Sequence, residues 1–345
     1  MEKERIQYFD LLKGVAIFMV IMGHIITICI RGIDTAFLFK LIANVHMPVF
    51  FFISGFLSYK EGFAMPNMLK RARQLLLPTV VVSAIWVLYF PHSHLQSPIK
   101  STFAALYADT WKNGYWFTFC LFELFAIYCL LSVIYRKVSN TALQIAIAIA
   151  FYATIVLLKP IVTASGADYA GMEVISRFFP IFIIGFFAHR HINIYKRAIN
   201  GSWPLIAAIA MFVPSFYLIA YPLEVPALTD WKSITIVIMH TSALIIALTL
   251  AASWSSNEYA PGNKPSAFAR FFSMLGKESL GIYLLHYFFL FPLTPLQEPL
   301  RNLGLQFAPL LAVSVIGALT VLVPTLLTIY LLRQNKWLSR IFTGK

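Results

Sequence analysis

The chain has 345 residues, of which 59% are hydrophobic and only 12% charged, and its formal net charge is +13. A soluble domain of this size carries roughly twice that fraction of charge, which excludes a soluble enzyme and a disordered chain alike. Membrane spans take about 20 residues each, so ten of them would use roughly 200 and leave no connection long enough for a separate catalytic domain.

Apolar runs of span length fall at about 11–30, 40–59, 75–91, 115–135, 141–158, 174–189, 203–221, 233–253, 279–297 and 307–332. The first run is of full span length and lacks a small-residue exit, so it reads as a span and not as a cleavable leader. Cys29, Cys120 and Cys129 all sit in apolar stretches without a metal-site spacing. With the N-terminus inside, the inner segments hold 18 of the 27 Lys and Arg and the outer ones 7, while Lys13 and Arg177 fall within spans. That split predicts an all-α polytopic membrane helix bundle of about ten transmembrane helices, with both termini cytoplasmic. Residues 1–345 then form one integral membrane domain. The excess positive charge reads as orientation and predicts no nucleic-acid partner.

Ionisable groups inside a membrane are costly and face a bundle interior or a cavity. Lys13 and His24 are eleven residues apart, which places both on one helix face about 16 Å apart along the axis. A cation near the inner mouth attracts phosphate, and a histidine in the outer half offers a general base. The bland alternative is a snorkelling lysine and a packing histidine. Asp10, three residues before Lys13, can pair with it on the helix. His46 belongs to the second span at a depth similar to His24. Pro48 loosens the backbone there, and Ser54 with Gly55 permits close helix approach. Glu123 lies about 16 Å beyond Lys112, near mid-bilayer, so it is protonated or paired; it either orients His24 or holds the bundle together. Arg177 grips substrate or snorkels, and His286 serves pore structure or catalysis. Lys70, Arg71 and Arg73 form a basic cluster on the second inner connection. That cluster is either a phosphate site or ordinary positive-inside bias.

Five strings carry more than these single residues do. They are "RIQYFDLLKGVAIFMVIMGH" from Arg5, "HMPVFFFISGFL" from His46, "KRARQLLLP" from Lys70, "GYWFTFCLFELF" from Gly114 and "LGKESLGIYLLH" ending at His286. In this order the chain resembles the acyltransferase-3 family of integral membrane acyltransferases, and within it the fucose 4-O-acetylase-like branch. The family pattern is matched at Arg5, Asp10, Lys13, Gly14 and His24, at His46, Pro48, Ser54 and Gly55, at Arg71, Arg73 and Pro78, at Trp116, Phe117, Leu121 and Phe122, and at Ser279, Tyr283 and His286. Lys13 stands where arginine is commoner. No hydrolase-like domain follows the last helix as it does in fused members, so the resemblance implies acyl delivery without one.

The resemblance implies an acyl-CoA donor, usually acetyl-CoA, taken from the cytoplasm, and a carbohydrate or lipid-linked glycan acceptor. The donor phosphates would be held by Lys13, Arg71 and Arg73. His24, His46 and Glu123 are the candidate catalytic residues; Asp10, Ser54, Arg177 and His286 would orient them; no metal is required. The expected location is the cytoplasmic membrane of a bacterium, with a homodimer left open. A transporter or flippase for sugars or lipid-linked glycans is the rival reading, since buried His, Glu and Arg also line transport pathways. No internal repeat of the kind many transporters show is evident.

Overall fold

A computed structural model describes residues 6–61, 65–89, 108–164, 166, 168–221, 231–260 and 262–345. Arg5 of the first string and residues 90–91 of the third apolar run lie outside them. The described residues are helical, with no strand among them. The helices are α1 (Gln7–His24), α2 (Phe37–Glu61), α3 (Met65–Tyr89), α4 (Trp116–Lys137), α5 (Thr141–Val162), α6 (Met172–Arg190), α7 (Ile192–Asn200), α8 (Ser202–Ala220), α9 (Lys232–Glu258), α10 (Ala267–Leu285), α11 (Gln297–Asn302), α12 (Phe307–Arg333) and α13 (Lys336–Thr343).

Eight of the described helices are long and apolar enough to cross a membrane, and nine if α10 and the bent segment after it count as one span. Their surfaces support this. Only 11% of the apolar window of α5 is buried, and Ile149, Leu157 and Ile161 are exposed. A helix that is apolar all round and unburied by protein belongs in lipid. The protein is therefore an all-α, multi-pass membrane bundle. The run expected at 279–297 differs from what is seen. Helix α10 begins earlier, at Ala267, and after Phe289 the chain bends by 87° into Thr294–Asn302. The charged and polar residues Arg270, Ser273, Lys277 and Glu278 hide the start of this helix from a hydropathy window.

The chain divides into two compact units, Met1–Ile53 with His191–Leu331, and Ser54–Arg190 with Leu332–Lys345. In the first unit α1 packs along α10. Glycine makes this possible on both helices. A Cβ on Gly14 would run into the carbonyl oxygen of Phe272, and one on Gly276 into that of Asp10. Backbones approach this closely only where no side chain intervenes. Higher up, His24 meets His286, and the Leu293 amide donates to the Cys29 carbonyl at 2.8 Å. Low residues meet low and high meet high, so α1 and α10 run parallel. Two parallel spans need an even number of crossings from the start of one to the start of the other. Seven of the eight span-length helices precede α10. Helix α3, which carries the basic string Lys70–Arg73, is not among the eight; with it as an eighth crossing before α10, the spans among the described residues would number ten.

In the second unit α3 packs on α4 and α13, and α5 on α6. Gly55 lets α2 approach α6, since a Cβ there would strike the Phe182 carbonyl oxygen. Two hydrogen bonds pair polar side chains across helices here. Thr79 donates to the Thr118 hydroxyl at 2.9 Å, and Arg190 donates to the Gln144 amide oxygen at 2.5 Å. Asp168 caps α6, accepting from the amides of Met172 and Glu173 at 2.7 and 3.1 Å.

Candidate functional site

The chemistry gathers in the first unit, at the upper end of the α1–α10 pair. Helix α1 stops being α-helical at His24 and continues as a π-helix over Ile25–Ile30, which ends at Arg31 with φ 64°. Such segments recur at functional sites because they re-aim side chains. Helix α10 changes similarly: His286–Phe289 is a 3-10 turn. The two irregular segments place three rings together. His24 Nδ1 is 2.7 Å from His286 Nε2, and the Tyr287 hydroxyl is 3.2 Å from His24 Nε2. The imidazole planes are 2° apart with centroids separated by 5.0 Å. That separation equals the nitrogen–nitrogen distance plus the two ring radii, so the rings lie end to end in one plane and do not stack face to face. This is the best alignment for a hydrogen bond.

The proton positions follow from the acceptors. His286 Nδ1 is 2.9 Å from the Ile282 carbonyl oxygen, which only accepts. His286 therefore carries its proton on Nδ1, and its Nε2 accepts from His24 Nδ1–H. Neutral His24 is then left with a lone pair on Nε2, where the Tyr287 hydroxyl donates. The result is a directed chain from Tyr287 through His24 and His286 to a fixed backbone carbonyl. His286 is fully buried, so packing holds the far end still.

His46 sits on α2 in the same unit. Its Nδ1 donates to the Ile42 carbonyl, which leaves Nε2 as its acceptor. Ile42 in turn lies beside Gly23, its Cγ2 3.5 Å from where a Cβ on that residue would stand. The residue that tethers His46 thus faces Gly23, the neighbour of His24. Pro48 lacks an amide proton and frees the Asn44 carbonyl of this turn. The Asn44 side chain donates one turn back, to the Lys40 carbonyl, at 2.7 Å. At the lower end of α1 the expected ion pair forms: Lys13 Nζ is 3.0 Å from Asp10 Oδ1.

The other sequence candidates lie in the second unit. The Arg71 guanidinium stands 5.1 Å from the centroid of the Phe125 ring, and Arg73 is exposed on α3. Ser54 accepts at its carbonyl from the Ser58 hydroxyl. Glu123 is on α4, and its Oε2 is buried with no hydrogen-bond partner among the described residues. Gly171, with φ 59°, makes room for that carboxylate, whose Oε2 would lie 3.0 Å from a Cβ there. Arg177 is 4.0 Å from Glu173, which also pairs with Lys159 at 3.0 Å. Of the groups considered for orienting His24, His286 is the one bonded to it, and Tyr287 takes its other ring nitrogen. Tyr287 escaped the sequence reading although it adjoins His286. The usable signal was the spacing: His24 follows Gly14 by ten residues, and His286 follows Gly276 by ten.

A multi-pass helical bundle that holds an oriented pair of histidines within its spans is a framework on which membrane-embedded group transfer can be built. Residues 6–329 match the acyltransferase domain model of the acyltransferase-3 family. The chain belongs to that family. It is also similar to nodulation protein NolL of Mesorhizobium japonicum, with 35% identity over 164 residues. The match covers 44% of this chain and 43% of that protein, so it spans less than half the length of the relative. No solved structure matches.

Proposed function

We propose that the enzyme moves an acyl group, acetyl in the first instance, from acyl-CoA taken at the cytoplasmic face to a carbohydrate hydroxyl, and that it does so in the inner membrane of a bacterium. The carrying observation is the lone pair of His24 Nε2, held in place from behind by His286 and facing a hydroxyl, that of Tyr287. An acceptor hydroxyl entering here takes the place of the Tyr287 hydroxyl. His24 Nε2 removes its proton as the oxygen attacks the thioester carbonyl. The carbon–sulfur bond breaks, and the CoA thiolate recovers the proton from His24. While the charge is on His24, its Nδ1–H bond to His286 is charge-assisted and strengthens. Family membership supports the acyl donor, and the cytoplasmic assignment rests on the excess of basic residues in the inner segments.

Lys13, fixed by Asp10 at the lower end of the same helix, is assigned to the donor phosphates. His46 is assigned to positioning the acceptor. Glu123, Ser54 and Arg177 are assigned to supporting the second unit's share of the same acyltransferase domain. The test is transfer of label from acyl-labelled CoA to glycan by the purified protein in lipid nanodiscs. Label on the glycan, lost in His24→Ala while the variant still inserts and remains monodisperse, is the expected result. Full transfer by His24→Ala would overturn the mechanism, and no consumption of acyl-CoA with any glycan would overturn the function.

A further inference from the structure

A cavity of about 330 Å³ opens beside α1 in the first unit, between α1, α2 and α9. Leu11, Leu12, Val15 and Met19 of α1 form one wall, and Ala247, Leu250 and Trp254 of α9 another. The remaining lining residues are apolar too, apart from His46. All three helices are among those long and apolar enough to cross the membrane. Leu250, two turns before the end of α9, is 60% exposed within the apolar stretch of that helix, so the cavity faces the hydrocarbon of the bilayer and not water. Its volume suits on the order of ten methylene groups, if each takes about the 30 Å³ of a water molecule.

The lining decides the occupant. Water needs two or more polar partners in a cavity, and these walls offer one imidazole. A sugar needs more still. The pantetheine arm of CoA carries two amides, and each would lose its hydrogen bonds to water here without a replacement. A hydrocarbon chain loses nothing. The cavity also has a direction. Its single polar residue, His46, hangs from Ile42, which faces Gly23 next to His24. A chain lying against Leu11–Met19 therefore points its head toward the reacting histidine.

We propose that this cavity holds the hydrocarbon tail of a lipid-linked acceptor, so that the sugar hydroxyl reaches His24 from within the membrane. The proposal rests on the acyl-transfer reading and narrows it to acceptors with a long isoprenoid or alkyl tail. Binding and transfer are read separately. An isoprenyl phosphate bearing a diazirine in its chain is photo-crosslinked to the intact protein in nanodiscs, without donor. Labelling should map to residues 247–254 and fall at least about fivefold in Ala247→Phe, which fills the space. In the transfer assay, a glycan on a long isoprenoid carrier should exceed the same glycan without the tail by at least about tenfold in kcat/KM. That advantage should shrink to about twofold in Ala247→Phe.

Absent labelling at α9, or equal use of tailed and tail-less glycans, would overturn the proposal while leaving acyl transfer intact. Competition by bulk phospholipid as strong as by the unlabelled isoprenyl phosphate would assign the cavity to bilayer lipid instead. Competition by acyl-CoA would assign it to the donor arm; either result overturns it. Specific labelling with no transfer to any glycan would keep the tail site and reject the acyl-transfer reading. A Val15→Phe variant fills the same space from α1 and guards against a folding defect peculiar to α9.

Discussion

Replacing His286 with alanine tests the ring pair directly. His286 accepts from His24 Nδ1 at 2.7 Å and is itself anchored on the Ile282 carbonyl at 2.9 Å. Its loss leaves the His24 N–H without its acceptor and frees the ring to carry its proton on the reacting nitrogen instead. An unsatisfied buried donor costs about 1–3 kcal/mol. The bond is needed most when His24 is charged, in the transition state, so the cost falls on kcat. At 1.36 kcal/mol per tenfold, kcat should drop about 5- to 150-fold, with the KM for acyl-CoA unchanged. His286→Gln keeps an oxygen acceptor near the position of Nε2 and should recover to within about tenfold of the native rate. Alanine also leaves a cavity in the core, which glutamine largely fills, so the comparison separates positioning from packing. The assay is initial-rate transfer of label in nanodiscs, at saturating and limiting donor, with retained fold checked by gel filtration. A native kcat in His286→Ala would refute the relay. So would equal losses in the two variants accompanied by a raised donor KM, because that pattern belongs to a general loosening of the bundle.

Tyr287→Phe removes a hydroxyl that an acceptor is expected to displace, so kcat should fall by no more than about fivefold, measured in the same assay. A loss of a thousandfold would make Tyr287 a direct participant in proton transfer. Gly276→Ala places a Cβ against the Asp10 carbonyl oxygen and forces α1 and α10 apart, which should lower both thermal half-life in detergent and kcat. Gly23→Ala is the matched control, because its Cβ would meet only the Ile42 methyl at an ordinary 3.5 Å. Greater helix propensity should leave it as stable as the native protein or up to about 1 kcal/mol more so. Asp10→Ala leaves Lys13, whose side chain is 22% exposed, without the partner at 3.0 Å. The half-life at a fixed temperature should shorten by an amount equivalent to about 1–3 kcal/mol, below the value for a fully buried pair because water still reaches the lysine. An unchanged half-life would show that the ion pair carries no stability.

The spans were legible because a bilayer demands about 20 apolar residues in a row, and that demand is local. Pairing of Asp10 with Lys13 was legible for the same reason, being a matter of three residues on one helix. Helix α3 was half legible: its apolar end stood out, while its basic beginning, Lys70–Arg73, does not read as part of a span. The bend after Phe289 was hidden, since nothing in a hydropathy window distinguishes an apolar residue in a span from one in a buried turn. The ring pair is the instructive case. His24 and His286 are far apart in the chain, and each alone looks like an intramembrane histidine with several readings. What joins them is a contact between backbones at Gly14 and Gly276 and the common direction of the two helices. Once the helices touch at those glycines and run parallel, equal rises of ten residues bring both histidines to equal height. The pair is therefore written as two local spacings, and its meaning depends on a non-local fact, which of the glycines faces which. A close backbone approach is the cause here, and the pairing of the two histidines is its consequence.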